Sequence, residues 1–254
     1  MPAEQDEPDL WEANARWWQD GFTDGVDPEY EEQILPLAAE VVTGSRRVLD
    51  IGCGEGQVGR HVAKLDGVST VVGIDPTWAQ LTVAAERSGG PHYVRAEAAV
   101  IPFADGAFDC VVGCLVYEHV GALEQAMAEV GRVLEPGGRF ALFMNHPLLQ
   151  APSSGWIDDQ ILDPPEQYWR VGSYLGVDES LEEVEKDVFI PFIHRPLHHY
   201  VNALVAAGLH ITRMEEPPPP PGFLARAEEY KMAETIPRLL MLVTTKQEGP
   251  VHRG

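Results

Sequence analysis

The sequence predicts an α/β fold: an open, mostly parallel sheet with helices packed on both faces, three layers deep. Three observations predict it. Apolar runs of strand length alternate with helical patterns from Arg46 to Asn145, and such alternation specifies a parallel sheet flanked by helices. One of the runs, "FDCVVGCLVY", is continuously apolar, as a strand buried on both faces must be. The first run leads into "VLDIGCGEGQVGR", which sets Gly52, Gly54 and Gly56 at alternate positions where a strand passes into a helix.

The elements follow in order. The opening segment, "MPAEQDEPDLWEANARWWQD", is acidic and rich in tryptophan, unlike a secretory signal. With Trp11, Trp17, Trp18, Phe22 and Tyr30 it reads as an N-terminal helical cap over residues 1–45, serving as a lid or as an aromatic staple. "DPEYEEQILPLAAEVV" reads as a helix that Pro36 kinks or splits; Asp27 caps it and Pro28 suits its first position. Its apolar face is Tyr30, Ile34, Leu37, Ala38 and Val41. Strands are expected at "RRVLDI", "STVVGID", "HYVRAE", "FDCVVGCLVY" and "RFALFMN". Helices are expected at "QVGRHVAKL", "TWAQLTVAAER" and "ALEQAMAEVGRVLEPGG", the last stopped by Pro136, Gly137 and Gly138. From His146 to His194 no long period survives, so this insertion is expected to be weakly structured, a lid or interaction arm. Regularity returns in "RPLHHYVNALVAAG", a helix with Leu197, Tyr200, Val201, Leu204 and Val205 in one stripe. A five-proline run and a short helix, "FLARAEEYKM", then separate two last strands, "LHITRME" and "RLLMLVTTK". Residues 247–254 read as a flexible tail.

Composition narrows the function. In 254 residues there are 18 basic and 40 acidic side chains, a formal net charge of −22. That field repels a phosphate backbone, so no nucleic-acid partner is expected. No apolar run approaches the roughly 20 residues that cross a bilayer, so no membrane partner is expected and a cytoplasmic location is. Cys53, Cys110 and Cys114 are too few for a disulfide framework and read as buried packing.

The chemistry gathers where ligands bind in such sheets, outside the carboxyl ends of the strands. Glycines let a ligand approach backbone closely, and the helix start at Gln57 and Val58 offers free N–H donors. Asp75, nineteen residues beyond Gly56, ends the second strand, where an acid accepts hydrogen bonds from ribose hydroxyls; it also suits a capping role before Pro76 and Thr77.

"VLDIGCGEG", "VVGID", "AEAAVIPFADGAFDCVV", "CLVYEH" and "RVLEPGGRF" together resemble class I S-adenosylmethionine-dependent methyltransferases of the small-molecule, methyltransferase-11-like type, over roughly residues 46–145. The resemblance implies a Rossmann-like sandwich of seven strands with the last antiparallel, spanning 46–246. It implies S-adenosylmethionine as cofactor and S-adenosylhomocysteine as product. Gly52, Gly54 and Gly56 would wrap the amino-acid part, with Asp50 in a water-mediated contact and Asp75, beside Pro76, on the ribose. Glu97, five residues before Pro102 where the family often has Asp, would face the adenine with the Ala98 N–H. Cys114 would offer its carbonyl to the methionine ammonium. A dinucleotide dehydrogenase would want its third glycine one residue later. The implied reaction is methyl transfer to a small organic acceptor at O, N or C. Same-fold chemistry without methyl transfer, or a non-catalytic cofactor-binding module, are the alternatives.

Candidate bases are His119 in "YEHV" and His146 in "NHP", at the ends of strands four and five. Trp18, Tyr30, Tyr117, His194 and Arg195 are candidates for the substrate pocket, and Glu118 reads as structural. His194 and His198 stand four apart without a carboxylate partner at metal-site spacing, so no metal is expected. A monomer or homodimer is expected.

Overall fold

A computed structural model describes residues 9–226 and 232–247. Asp9 caps the first helix, α1 (Leu10–Phe22), by accepting from the Trp11 and Glu12 amides, so the segment before the sheet opens as an aromatic-rich helix. The next helix is divided as Pro36 requires. A π-helical turn, Tyr30–Ile34, precedes α2 (Leu35–Val42), in which Pro36 falls in the first turn. A proline ring clashes with the carbonyl four residues back, and the wider turn moves that carbonyl aside. Tyr30, Ile34, Ala38 and Val41 are buried, as their spacing predicts, and Leu37 is half-buried.

The alternation then unfolds as expected. It runs β1 (Arg47–Ile51), α3 (Gln57–Val62), β2 (Thr70–Asp75), α4 (Trp78–Arg87), β3 (His92–Arg95), β4 (Phe108–Cys114), α5 (Leu123–Val133) and β5 (Leu134–Asn145). The α5 helix ends earlier than its sequence suggests, and "LEPGG" belongs to the extended chain entering β5. The insertion departs from expectation. It forms two antiparallel hairpins, β6 (Gly155–Asp159) with β7 (Glu166–Arg170), and β8 (Asp178–Glu185) with β9 (Val188–His194). Their strands are short and β8 is largely acidic and exposed, so β-propensity and alternation barely register. The chain continues through α6 (Leu197–Ala206), β10 (Leu209–Glu215), the short α7 (Pro221–Leu224) and β11 (Leu239–Lys246). Val205, predicted in the buried stripe of α6, is exposed. Half of the helix expected at 223–232, residues 227–231, and residues 248–254 of the tail lie outside the described residues.

Seven strands form one sheet in the order β10-β11-β5-β4-β1-β2-β3, with β11 antiparallel to both neighbours and the rest parallel where they pair. Period-two side chains split the core into two layers. Leu49, Ile51, Val111, Phe140 and Leu142 pack with α5 and α6 on one face. Val48, Cys110, Val112, Ala141 and Phe143 pack with α2 and α3 on the other. All three cysteines are buried and unpaired. No described helix is long and apolar enough to cross a membrane.

Gly131 marks the tightest approach between α5 and the end of α6. A Cβ there would meet the Ala207 carbonyl oxygen at 2.5 Å. Glycine in a helix interior concedes about 1 kcal/mol of propensity to alanine, but a backbone overlap of this depth outweighs that gain. Gly131→Ala is therefore expected to destabilise the fold by about 1–3 kcal/mol in denaturant titration; a stabilised variant would contradict this packing.

Candidate functional site

The carboxyl ends of β1 to β4 surround a cavity of about 330 Å³, large enough for one small ligand. Its floor is the loop after β1. Gly52, Gly54 and Gly56 all adopt positive φ, at +63°, +52° and +86°, a conformation natural only to glycine. The three serve different ends. A Cβ on Gly52 would strike Val116 at 2.3 Å, and one on Gly56 would strike the Tyr93 hydroxyl at 2.2 Å. Gly56 accordingly lies off the cavity wall, packed on Tyr93. A Cβ on Gly54 would meet only Trp18 Nε1, at 3.8 Å, so here the backbone is left bare toward the cavity.

Two buried carboxylates shape that loop. Asp75 Oδ2 accepts the Gly54 N–H at 2.9 Å and its Oδ1 accepts the Thr77 N–H at 2.8 Å, so the cap reading and the ligand reading fall on one side chain. Asp50 Oδ2 accepts the Gly59 N–H at 3.0 Å. Burial pushes Asp75 up from the ordinary carboxylate range. It pushes Asp50 up to about 7, and the negative charges of Asp75 and Glu55 add to the effect. Glu55 is itself buried against Arg60 at 2.6 Å and Arg87 at 2.5 Å, which binds the loop to α4. Gln57 donates its side-chain amide to the Phe22 carbonyl at 3.2 Å, which ties α1 over the loop.

The wall opposite comes from the chain after β4. Leu115 turns there at φ +55°, a strained value for a branched side chain, and lines the cavity with Val116, His119 and Val120. His119 Nδ1 lies 2.7 Å from the Pro191 carbonyl oxygen. A carbonyl only accepts, so Nδ1 carries the proton and Nε2 holds the lone pair. Burial pushes the imidazole down to about 4 despite that hydrogen bond, so the ring is neutral at physiological pH. Trp11 packs edge-on against it at 4.8 Å and Phe192 at 5.7 Å. The insertion thus reaches the site through β9, whose Ile193 N–H also donates to the Glu118 carbonyl at 2.8 Å. The N-terminal cap reaches it through α1, held by Glu12 on the Trp78 and Ala79 amides and by Asn14 on the Phe189 carbonyl.

Of the residues singled out from sequence, the structure brings Asp50, Gly52, Gly54, Gln57, Asp75, Pro76, Glu97, Ala98, Cys114, Trp18, Tyr30 and His119 to this cavity. It does not bring Gly56, Tyr117, His146, His194 or Arg195 there. His146 is buried with both ring nitrogens engaged, Nε2 on Glu216 Oε1 at 2.8 Å and Nδ1 accepting the Leu148 N–H at 3.1 Å. Tyr117 lies beneath the wall, wholly buried against Phe140. His194 Nε2 faces the Tyr174 carbonyl at 2.8 Å. Arg195 is buried and donates to the carbonyls of Tyr117, Val120 and Gly121 at 3.1, 2.7 and 3.1 Å, so it holds the His119 loop in place. Cys53, Thr77, Gln80 and Trp11 line the cavity unforeseen as ligand contacts; of these only Trp11, in the aromatic crowd of the N-terminus, left a signal in the sequence.

Residues 49–142 match the family model described as "Methyltransferase domain". An uncharacterised methyltransferase of a Mycobacterium species is 35% identical over 177 residues, covering 70% of this chain and 63% of its own. The demethylmenaquinone methyltransferase of Thermus thermophilus is 30% identical over 122 residues, 46% of this chain and 54% of its own. The chain thus spans about half the length of that curated relative, and less of several others. The fold is shared with the crystal structure of an S-adenosylmethionine-dependent methyltransferase from Mesorhizobium loti, at a TM-score of 0.71 and 24% identity over 87% of this chain and 98% of that one. It is shared also with the cyclase SpnF, at 0.58 and 19% over 90% and 86%.

The cavity could take S-adenosylmethionine, the cofactor named for that Mesorhizobium structure. Gly54 offers bare backbone, the Asp75 carboxylate keeps acceptor capacity for a ribose, and the negative charge of Asp50 and Asp75 would suit a sulfonium or an ammonium. A cationic ligand favours ionised Asp50, so binding draws off the proton that Asp50 holds below about pH 7. Cofactor affinity is expected to rise about fivefold from pH 6 to pH 7, and Asp50→Asn, which keeps the acceptor for Gly59, to flatten the rise. The same raised carboxyl contributes stability that is full at acid pH and lost as pH climbs through 7. Calorimetry across pH checks both; a pH-independent affinity in the unmodified chain would contradict this electrostatics.

Proposed function

We propose that this protein transfers a methyl group from S-adenosylmethionine to a small organic acceptor. The observation that carries the proposal is the single cavity wall on which Gly54, Asp75 and Glu97 meet at the ends of β1, β2 and β3, with His119 beyond the end of β4. Bound there, the cofactor supplies an electrophilic methyl carbon. The chain supplies position and dryness: Asp75 takes the ribose, Glu97 and Ala98 border the adenine, and Gly52, Gly54 and the Cys114 carbonyl border the amino-acid part. Trp11, Trp18 and Tyr30 close over the far side and exclude water, which favours group transfer. His119 Nε2 accepts the proton that a hydroxyl or amine gives up.

Relatives named for demethylmenaquinone, for 2-phytyl-1,4-naphtoquinone and for ubiquinone and menaquinone biosynthesis support a small-molecule acceptor, as does the acidic surface. The buried, unpaired cysteines suit a reducing, cytoplasmic setting.

Titration with S-adenosylmethionine and S-adenosylhomocysteine is expected to give micromolar dissociation constants, with none for NADH. Asp75→Ala is expected to weaken both at least tenfold, about 1.4 kcal/mol. Well-folded protein that binds neither ligand would defeat the proposal, and a cofactor left unconsumed through turnover would point to chemistry like that of a cyclase.

A further inference from the structure

Resting on that reading, we infer that the acceptor is an uncharged, flat molecule bearing a weakly acidic hydroxyl, a phenol or an enol, seated against Trp11 with that hydroxyl on His119 Nε2.

The strand order separates the two ends of the cavity. In the sequence β4-β1-β2-β3, Asp75 and Glu97 follow β2 and β3, while His119 follows β4. Neighbouring strands lie about 4.8 Å apart, so the ends of β2 and β3 stand about 10 and about 14 Å from the end of β4 across the sheet. The end at β4 is the one left to an acceptor, and its walls are Trp11, Leu115, Val116, His119 and Val120. Indole and imidazole rings with aliphatic neighbours select a flat apolar body.

Charge decides which flat molecules are admitted. The described residues lining the cavity include four acids, Asp50, Glu55, Asp75 and Glu97, and no lysine or arginine. The cations closest to it are already engaged: Arg60 and Arg87 on Glu55, Arg195 on three backbone carbonyls. A carboxylate or phosphate at this end would be desolvated with no cation to pair with, at a cost of several kcal/mol. A protonated amine meets the opposite difficulty. It has no lone pair for attack, it faces a cofactor that is itself cationic, and the lone pair at this end belongs to a neutral ring. Of the four acids, Asp75 and Glu97 stand at the other end, Asp50 and Asp75 are held by backbone amides, and Glu55 is held by arginines.

What remains is a neutral donor. Nδ1 of His119 is committed to the Pro191 carbonyl, so Nε2 has an acceptor to offer and nothing to donate. A hydroxyl satisfies it. In the transfer the hydroxyl oxygen bonds to the methyl carbon, the carbon–sulfur bond breaks with its electron pair left on sulfur, and the hydroxyl proton passes to Nε2. A ring nitrogen this weakly basic does not ionise a phenol beforehand; it takes the proton as the new bond forms, then gives it to solvent.

The test is calorimetric. Protein saturated with S-adenosylhomocysteine at pH 7.5 is titrated with 2-naphthol, 2-naphthoate and 2-naphthylmethylammonium, which share one ring system and differ in charge. The naphthol is expected to bind at least tenfold more tightly than either ion. Trp11→Ala and His119→Phe are each expected to weaken it at least fivefold, with the homocysteine titration reporting whether each variant is folded. Should a variant misfold, the three probes on the unmodified chain decide alone. Equal or tighter binding of the naphthoate or the ammonium, or no detectable naphthol binding, overturns the inference while leaving methyl transfer in place. Failure of S-adenosylhomocysteine to bind sinks the parent reading instead.

Discussion

The site depends on one arrangement: two carboxylates, Asp50 and Asp75, buried beneath a backbone loop that they hold by its amides. Asp75 reaches back to the Gly54 N–H and forward to the Thr77 N–H, while Asp50 takes the Gly59 N–H. Burying two carboxylates is unfavourable: loss of water raises the protonation range of both, and at Asp50 the charge of Asp75 adds to the rise. As pH climbs through 7 that burial costs the fold stability. In the proposed reading a positively charged ligand offsets the cost by supplying the countercharge that the desolvated carboxylates lack. Glu55 shows the contrast: with Arg60 and Arg87 beside it, it needs no ligand.

The remaining parts are arranged around that loop. Its near side rests on the sheet, whose alternating side chains fill both layers of core and leave only strand ends open. Its far side is roofed by α1, which is fixed through Glu12, Asn14 and the Phe22 carbonyl rather than by propensity alone. The insertion acts as a buttress. Pro191 selects the tautomer of His119 and Ile193 pins Glu118, while Arg195, just past the insertion, gathers three carbonyls of the same loop. A segment with little periodicity of its own thereby determines which nitrogen faces the cavity.

Much of this could be read from the chain before any coordinates. The order of strands and helices from Arg46 to Asn145, the glycine loop, the acid ending β2 and the split at Pro36 are local facts, set by period, turn chemistry and proline geometry. The helical stripe of α6 was mostly legible too, with Val205 alone of its residues exposed. The hairpins of the insertion were not legible. Acidic, exposed strands such as β8 are held by cross-strand hydrogen bonds rather than by apolar alternation, and sequence periodicity reports only the latter.

The candidate site divides in the same way. By itself the sequence determined that Gly54 and Asp75 lie just past the ends of strands whose order follows from local pattern, while Glu97 and the cofactor came with the family resemblance. Only the tertiary structure decided the acceptor end. His119 and His146 look alike in sequence, each a histidine just past a strand, and Arg195 looks like a pocket residue. Folding puts Pro191 against one imidazole, Glu216 against the other, and three carbonyls around the guanidinium. Those partners come from 70 to 78 residues away along the chain, and no local rule encodes a hydrogen bond across that distance.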